Sequence, residues 1–393
     1  MATVGIVTEY NPFHLGHKKQ YRMVRRRFGA DAAIVCVMSG NYVQRGEPAV
    51  FDKLTRAKVA ILCGADLVVE LPLTKSISSA EGFAYGAVEI LDRLGVVDAL
   101  CFGSEHGCAE ELMETARVLL RPDFDAAVRD ALAAGTSYAA ARSVAAARLG
   151  ADELLLRRPN DILAVEYCKA ILKLESAIVP AAVERQGSYH SQTPDGENPS
   201  ATAVRRLLLA GEDWQAYVPD EALQVFRDAP MHHLKYGERA MLARLRSLTD
   251  AEFENLPFGA EGLWSKVMKA CRTEASVEGI LEASKSKRYA RTRLMRMLLC
   301  GYLGVSREML EKPPQSVRAL AFTDRGAALL RRARTVGRIP ILNAGQAGED
   351  TAFVALERRA ADLYTLFRAD ESDMPCGTER MGRVFFGGSK EKS

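Results

Sequence analysis

Five short runs of apolar residues, each followed by a segment of helical spacing, constrain what the first half of this chain can become. Residues 3–8, 32–38, 67–71, 97–102 and 178–183 read as strands buried on both faces. Between them lie helical patterns at 15–28, at 52–62 with Asp52 as start and Gly64 as stop, at 79–94 closed by Gly95, and at 160–174. An alanine-rich helical stretch from 109 to 149 is interrupted near Arg121-Pro122 and Gly135. Alternating patterns of this kind predict an α/β fold with a parallel, Rossmann-like sheet covered by helices on both faces. Ligands of such sheets bind beyond the carboxyl ends of the strands. The polar segments 10–17, 39–46, 70–72, 103–105 and 184–186 all follow strands, so they are expected to converge on one sheet edge.

The first of these segments carries the strongest chemical signal. Tyr10-Asn11-Pro12-Phe13-His14-Leu15-Gly16-His17 places two histidines around a glycine where the first strand hands over to the first helix. A phosphate there would meet unpaired backbone N–H groups and the positive end of the helix dipole. Gly16 permits close backbone approach, and His14 and His17, three residues apart, can donate to phosphate oxygens from one side. Taken alone, a four-residue H-x-G-H also admits incidental loop histidines or a metal pair. The chain has only six histidines, and no cysteine or carboxylate stands at ligand spacing beside this pair, so no metal ligand is assigned.

A second helix start lies at Ser200-Ala201-Thr202-Ala203-Val204-Arg205, after a loop of small and polar residues from 187 to 199. Ser200 reads as its N-cap, and Thr202 and Arg205 suit a second phosphate group, unless Arg205 is simply a solvated side chain. Beyond residue 213 the strand signal fades and residues 220–305 read as mainly helical. Within them Lys285, Lys287, Arg288, Arg291, Arg293 and Arg296 crowd around Tyr289, opposed by Glu282, with Leu294, Met297 and Leu298 as the buried face. A basic face with an aromatic suits a phosphate backbone and unstacked bases, although many charge runs are only solvated surface. Residues 319–334 read as another arginine-rich helix and 339–342 as a short strand.

Bulk properties narrow the setting. At 393 residues, 48% hydrophobic and 26% charged, the chain has the composition of a soluble protein of two or three domains. It begins directly on a strand pattern, with no leader and no apolar run of membrane-spanning length, so a cytoplasmic protein is expected. The eight cysteines are scattered without framework spacing, and Cys101, His106 and Cys108 form no recognised zinc pattern. A net charge of +3 identifies no partner.

The strand, H-x-G-H turn and helix, with the later Ser-Ala-Thr-x-x-Arg, resemble the HIGH-motif nucleotidyltransferase superfamily. Longer strings resemble the bacterial tRNA(Met) cytidine acetate ligase family: Thr8 to His17, Met38-Ser39-Gly40-Asn41-Tyr42-Val43-Gln44-Arg45-Gly46-Glu47-Pro48-Ala49, residues 64–72, and Phe102-Gly103-Ser104-Glu105. Asn160-Asp161-Ile162-Leu163 and Lys287-Arg288-Tyr289 extend the match. The resemblance implies a nucleotidyltransferase domain at 1–215 and a mainly helical RNA-binding region at 216–393. It implies an enzyme that activates acetate with ATP, carried with Mg²⁺, and acetylates N4 of the wobble cytidine (position 34) of elongator tRNA(Met). By position, the implied ATP site comprises Val7, Thr8, Glu9, Tyr10, Asn11, Pro12, Phe13, His14, Leu15, Gly16, His17 and Gln20, then Gly103, Asn160, Arg185 and Gln186, with Ser200, Thr202 and Arg205 at the second helix start. His14 and His17 take the catalytic role, and Lys285, Lys287, Arg288, Tyr289, Arg291 and Arg293 the RNA. Leu15 and Pro199 depart mildly from the pattern. A small-molecule adenylyltransferase that joins AMP to a phosphorylated metabolite shares the same ATP motifs and is the alternative, but it leaves the arginine-rich region after Arg205 without a use.

Overall fold

A computed structural model describes residues 1–184, 199–286, 289–346 and 351–388. Strand β1 (Thr3–Thr8) feeds helix α1 (Leu15–Phe28), which returns to β2 (Ala33–Ser39). A two-strand hairpin, β3 (Tyr42–Val43) and β4 (Glu47–Pro48), precedes α2 (Lys53–Leu62) and β5 (Leu67–Leu71). The short α3 (Leu73–Ser76) and long α4 (Ala80–Leu94) lead to β6 (Ala99–Ser104). The alanine-rich stretch is broken, as its interruptions predict, into α5 (Ala109–Leu119), α6 (Phe124–Ala133) and α7 (Tyr138–Arg148). Helix α8 (Pro159–Lys173), β7 (Val179–Glu184) and α9 (Ala201–Ala210) complete this half.

Next come helices α10 (Asp220–Asp228), α11 (Leu234–Arg246), α12 (Asp250–Glu254), α13 (Leu263–Thr273), α14 (Val277–Ser284), α15 (Arg291–Leu303) and α16 (Arg307–Glu311). The chain then returns to the sheet through β8 (Val317–Phe322), α17 (Asp324–Val336), β9 (Ile341–Asn343), α18 (Ala352–Thr365), α19 (Thr378–Met381) and β10 (Phe385–Phe386). Residues 319–322 are therefore strand, a correction to the helix expected over 319–334. A four-residue apolar run abutting an arginine-rich helix has no periodicity of its own.

The sheet runs β10-β8-β5-β2-β1-β6-β7, with β9 beside β8. Pairing from β5 through β7 is parallel, while β8 lies antiparallel to β5. Every residue of β2 is buried, as a central strand covered on both faces requires. One apolar core packs α4, α5 and α8 against one face, a second packs α1, α2, α9 and α10 against the other, and a third fills the helical region. Among the described residues no helix is long and apolar enough to cross a membrane.

Candidate functional site

The chain leaves β1 toward β2 through α1 on one face, whereas β6, on the other side of β1, is reached through α4 on the opposite face. This reversal opens a crevice beyond β1 and β6. A cavity of about 220 Å³ occupies it.

Its first wall is built where β1 ends. Val7, Thr8 and Glu9 run into the cavity, and Tyr10 turns the chain in a left-handed conformation (φ 44) that few non-glycine residues adopt. Tyr10 is locked there: it is 1% exposed, and its hydroxyl lies 2.5 Å from the Tyr21 hydroxyl. Asn11 accepts the Val50 N–H at 2.8 Å. Phe13 is fully buried beside the rings of Tyr10 and His17, and so supports the cavity without lining it. Neither Pro12 nor Leu15 lines it, and Gly16 lines an adjoining recess of about 100 Å³ with Gln20 and Gly103.

His14 is the N-cap of α1, and its Nδ1 accepts the Gly16 N–H at 3.1 Å. The His17 Nδ1 accepts the His14 N–H at 3.2 Å, which completes a capping box made of imidazoles. The rings stack with centroids 3.7 Å apart. A nitrogen that accepts carries no proton, so in each neutral ring Nε2 is the N–H donor. The rings thus engage the N–H groups of His14 and Gly16 at the start of α1, where the sequence leads one to expect backbone N–H groups to meet a phosphate.

A second helix start faces the first. Ser200, the N-cap of α9, accepts the Ala203 N–H at 3.1 Å, and Thr202 and Arg205 line the cavity one turn on. The Arg205 guanidinium donates to the Asn11 carbonyl and to the Thr202 hydroxyl (3.4 Å), tying α9 to the turn after β1.

The third contribution comes from β6 and α8. Gly103 and Asn160 line the cavity. Glu105 accepts the Asn160 side-chain amide at 2.8 Å and the Asp161 N–H at 3.0 Å, so it caps the start of α8. The fully buried Asp161 in turn accepts the Ser104 hydroxyl at 2.5 Å and the His106 N–H at 3.1 Å. The Gly103-Ser104-Glu105 and Asn160-Asp161 strings thus interlock across 55 residues of sequence.

Some lining residues have no role assigned to them from the sequence. The hairpin supplies Val43, Gln44, Arg45 and Glu47, within a string noticed there but given no role. The opposite end is closed by Phe83 and Tyr167, which resemble ordinary core at helical spacing, and by Phe102 and Leu163, which belong to strings noticed there but given no role of their own. Burial pushes the Glu9 carboxyl above its usual range, opposed by the Gln44 N–H (2.7 Å) and by the charges of Arg205, Arg45 and Arg56. Arg56 is fully buried below and donates to the carbonyls of Phe51 (2.8 Å), Ser39 (3.1 Å), Glu9 and Gly40, binding three post-strand loops together.

Glu70 does not join this cavity. It pairs with Lys53 at 2.7 Å in a buried cluster with Glu379 and Arg318, joining the sheet edge to the C-terminal segment. Arg185 and Gln186 lie outside the described residues, as do Lys287 and Arg288. Of the remaining basic group, Arg291 is clamped to Glu278 by two 2.6 Å hydrogen bonds, and Lys285 meets Glu282 at 3.2 Å. The Arg293 guanidinium lies 5.0 Å from the Tyr289 ring centre. Arg296 is only 9% exposed, and Glu278 joins Glu282 in opposing the cluster; both points correct the expectation of an outward basic face opposed by one glutamate. Among the described residues, His106, Cys108 and Glu111 place one ligand atom each within 4.8 Å of one another, but His106 and Glu111 already pair at 2.7 Å.

Residues 1–376 match the HIGH Nucleotidyl Transferase family. The tRNA(Met) cytidine acetate ligase of Caldanaerobacter subterraneus subsp. tengcongensis is 35% identical over 390 residues, covering 93% of this chain and 95% of that protein. Its namesake from Clostridium novyi is 36% identical over 359 residues, covering 87% and 89%. The crystal structure of Thermotoga maritima TmcAL bound with alpha-thio ATP superposes with a TM-score of 0.89 at 30% identity, covering 99% of this chain and all of that one.

Proposed function

The chain belongs to the HIGH nucleotidyl transferase family and, within it, to the tRNA(Met) cytidine acetate ligases, and we propose that its cavity activates acetate with ATP and passes the acetyl group to N4 of the wobble cytidine of elongator tRNA(Met). The observation that carries this reading is the meeting of two capped helix starts, those of α1 and α9, at the crevice between β1 and β6, with both histidine Nδ1 atoms engaged.

In the first half-reaction an acetate oxygen attacks the α-phosphorus of ATP, which enters as its magnesium complex, and pyrophosphate leaves. Negative charge grows on the phosphate oxygens. The Nε2–H groups of His14 and His17, held by the capping box, donate to them without reorganising. Thr202 and Arg205 hold the departing pyrophosphate. In the second half-reaction the cytidine amine attacks the acetyl carbon and AMP leaves. A wobble base is unpaired, so turning it into the cavity costs less than in a duplex.

Residues 1–215 supply the ATP site in this reading and 216–393 the RNA contacts, while β8, β9 and β10 of the latter complete the sheet. Lys285, Tyr289, Arg291 and Arg293, with Lys287 and Arg288, are assigned to the RNA. Acetate-dependent exchange of labelled pyrophosphate into ATP, without tRNA, tests the first step. Exchange that requires a phosphorylated metabolite instead of acetate overturns it in favour of a small-molecule adenylyltransferase.

A further inference from the structure

The two ends of the cavity differ in chemistry. On the α1 and α9 side stand His14, His17, Thr202 and Arg205, all donors to anionic oxygen. On the α4 and α8 side stand Phe83, Phe102, Leu163 and Tyr167. Phe83, Phe102 and Tyr167 are 3%, 4% and 4% exposed and belong to the main core, and the rings of Phe102 and Tyr167 lie 5.6 Å apart. Leu163 packs against the same core. A wall made of core side chains recedes only if the core repacks, so its position is fixed.

The adjoining recess, between α1 and the end of β7, extends from the far side of the same histidines and is lined by Gly16, Met23, Gly103 and Val183. In the adenylation reading a nucleotide with its α-phosphate on His14 and His17 extends its adenosine toward this recess. The carboxylate that attacks the α-phosphorus enters in line with the leaving pyrophosphate and opposite to it, so with the pyrophosphate on Thr202 and Arg205 the attacking acid lies on the side of the apolar wall.

From this arrangement, and resting on the adenylation reading above, we infer that Phe83, Phe102, Leu163 and Tyr167 form the acyl-selecting wall, which accepts the methyl group of acetate and excludes longer carboxylic acids. The carboxylate of the acid lies toward the histidines and the methyl toward the rings. One methylene in such a pocket is worth about 10- to 200-fold in discrimination.

The test is acid-dependent pyrophosphate exchange with acetate, propionate and butyrate, run on the full chain and on Leu163→Ala. The expected result is that the native protein favours acetate over propionate by at least about 10-fold, and that Leu163→Ala narrows the ratio by a similar factor while KM for ATP stays within about twofold. Phe83→Leu, a smaller change in the same wall, carries the test if Leu163→Ala does not fold. An unchanged acid ratio in the folded variants, or a selective rise in KM for ATP, overturns the wall. Absence of exchange with any acid in the native protein overturns the functional reading itself, so the two failures are distinct.

Discussion

A Cβ placed on Gly46 would stand 2.7 Å from the backbone nitrogen of Arg296, so the β3–β4 hairpin touches α15 backbone to backbone. Gly46 also holds φ 85, which an L-residue adopts only under strain. The contact ties Gln44 and Arg45, which line the cavity, to the helical region. Gly46→Ala is expected to cost about 2 kcal/mol or more, read by urea unfolding, and to reduce acetate-dependent exchange. Native stability and activity in this variant would show that the contact has slack.

His17 both lines the cavity and caps α1. His17→Ala is expected to lower adenylate formation by about 10²- to 10³-fold, the usual loss for one donor to developing charge, and to leave tRNA binding intact. Loss of tRNA binding with adenylate formation retained would place His17 in the wrong half of the reaction.

Burial holds His232, which is stacked on Tyr364 with ring centroids 4.1 Å apart, down at a pKa of about 4. The unfolded chain, with a histidine near 6.5, then binds more protons than the native one between pH 4 and 6.5. His232 therefore contributes a loss of stability as pH falls through that window and none above it. The melting temperature of His232→Phe should depend on pH less steeply there than that of the native protein. Parallel curves would mean that the ring titrates normally in the fold.

Arg291 is 45% exposed in its side chain even though it pairs with Glu278. If it meets a phosphate, Arg291→Ala weakens tRNA binding and makes the slope of log K against log salt shallower by about one. Unchanged binding in a filter assay removes Arg291 from the RNA surface.

Much of the first half of the chain was legible because its signals are local. The run 67–71 is β5 to the residue, and the start signals at Asp52 and Ser200 are observed caps. What escaped depends on contacts distant in sequence. β8 pairs with β5 across roughly 250 residues, and no pattern within Ala319-Leu320-Ala321-Phe322 distinguishes an edge-completing strand from the start of a helix. Nothing local sets Arg56 apart within the 52–62 helix pattern, because the carbonyls that bury it converge from three loops. Phe83 and Tyr167 carry core-like spacing, so their second role as cavity wall appears only once α4 and α8 are packed.

The most direct measurement incubates the purified protein with Mg-ATP, labelled acetate and unmodified elongator tRNA(Met), digests the RNA and reads the nucleosides by mass spectrometry. The account predicts labelled N4-acetylcytidine at the wobble position that requires both ATP and acetate, and that is lost in His17→Ala. Unmodified cytidine from protein that still exchanges pyrophosphate into ATP would contradict the acetyl-transfer claim.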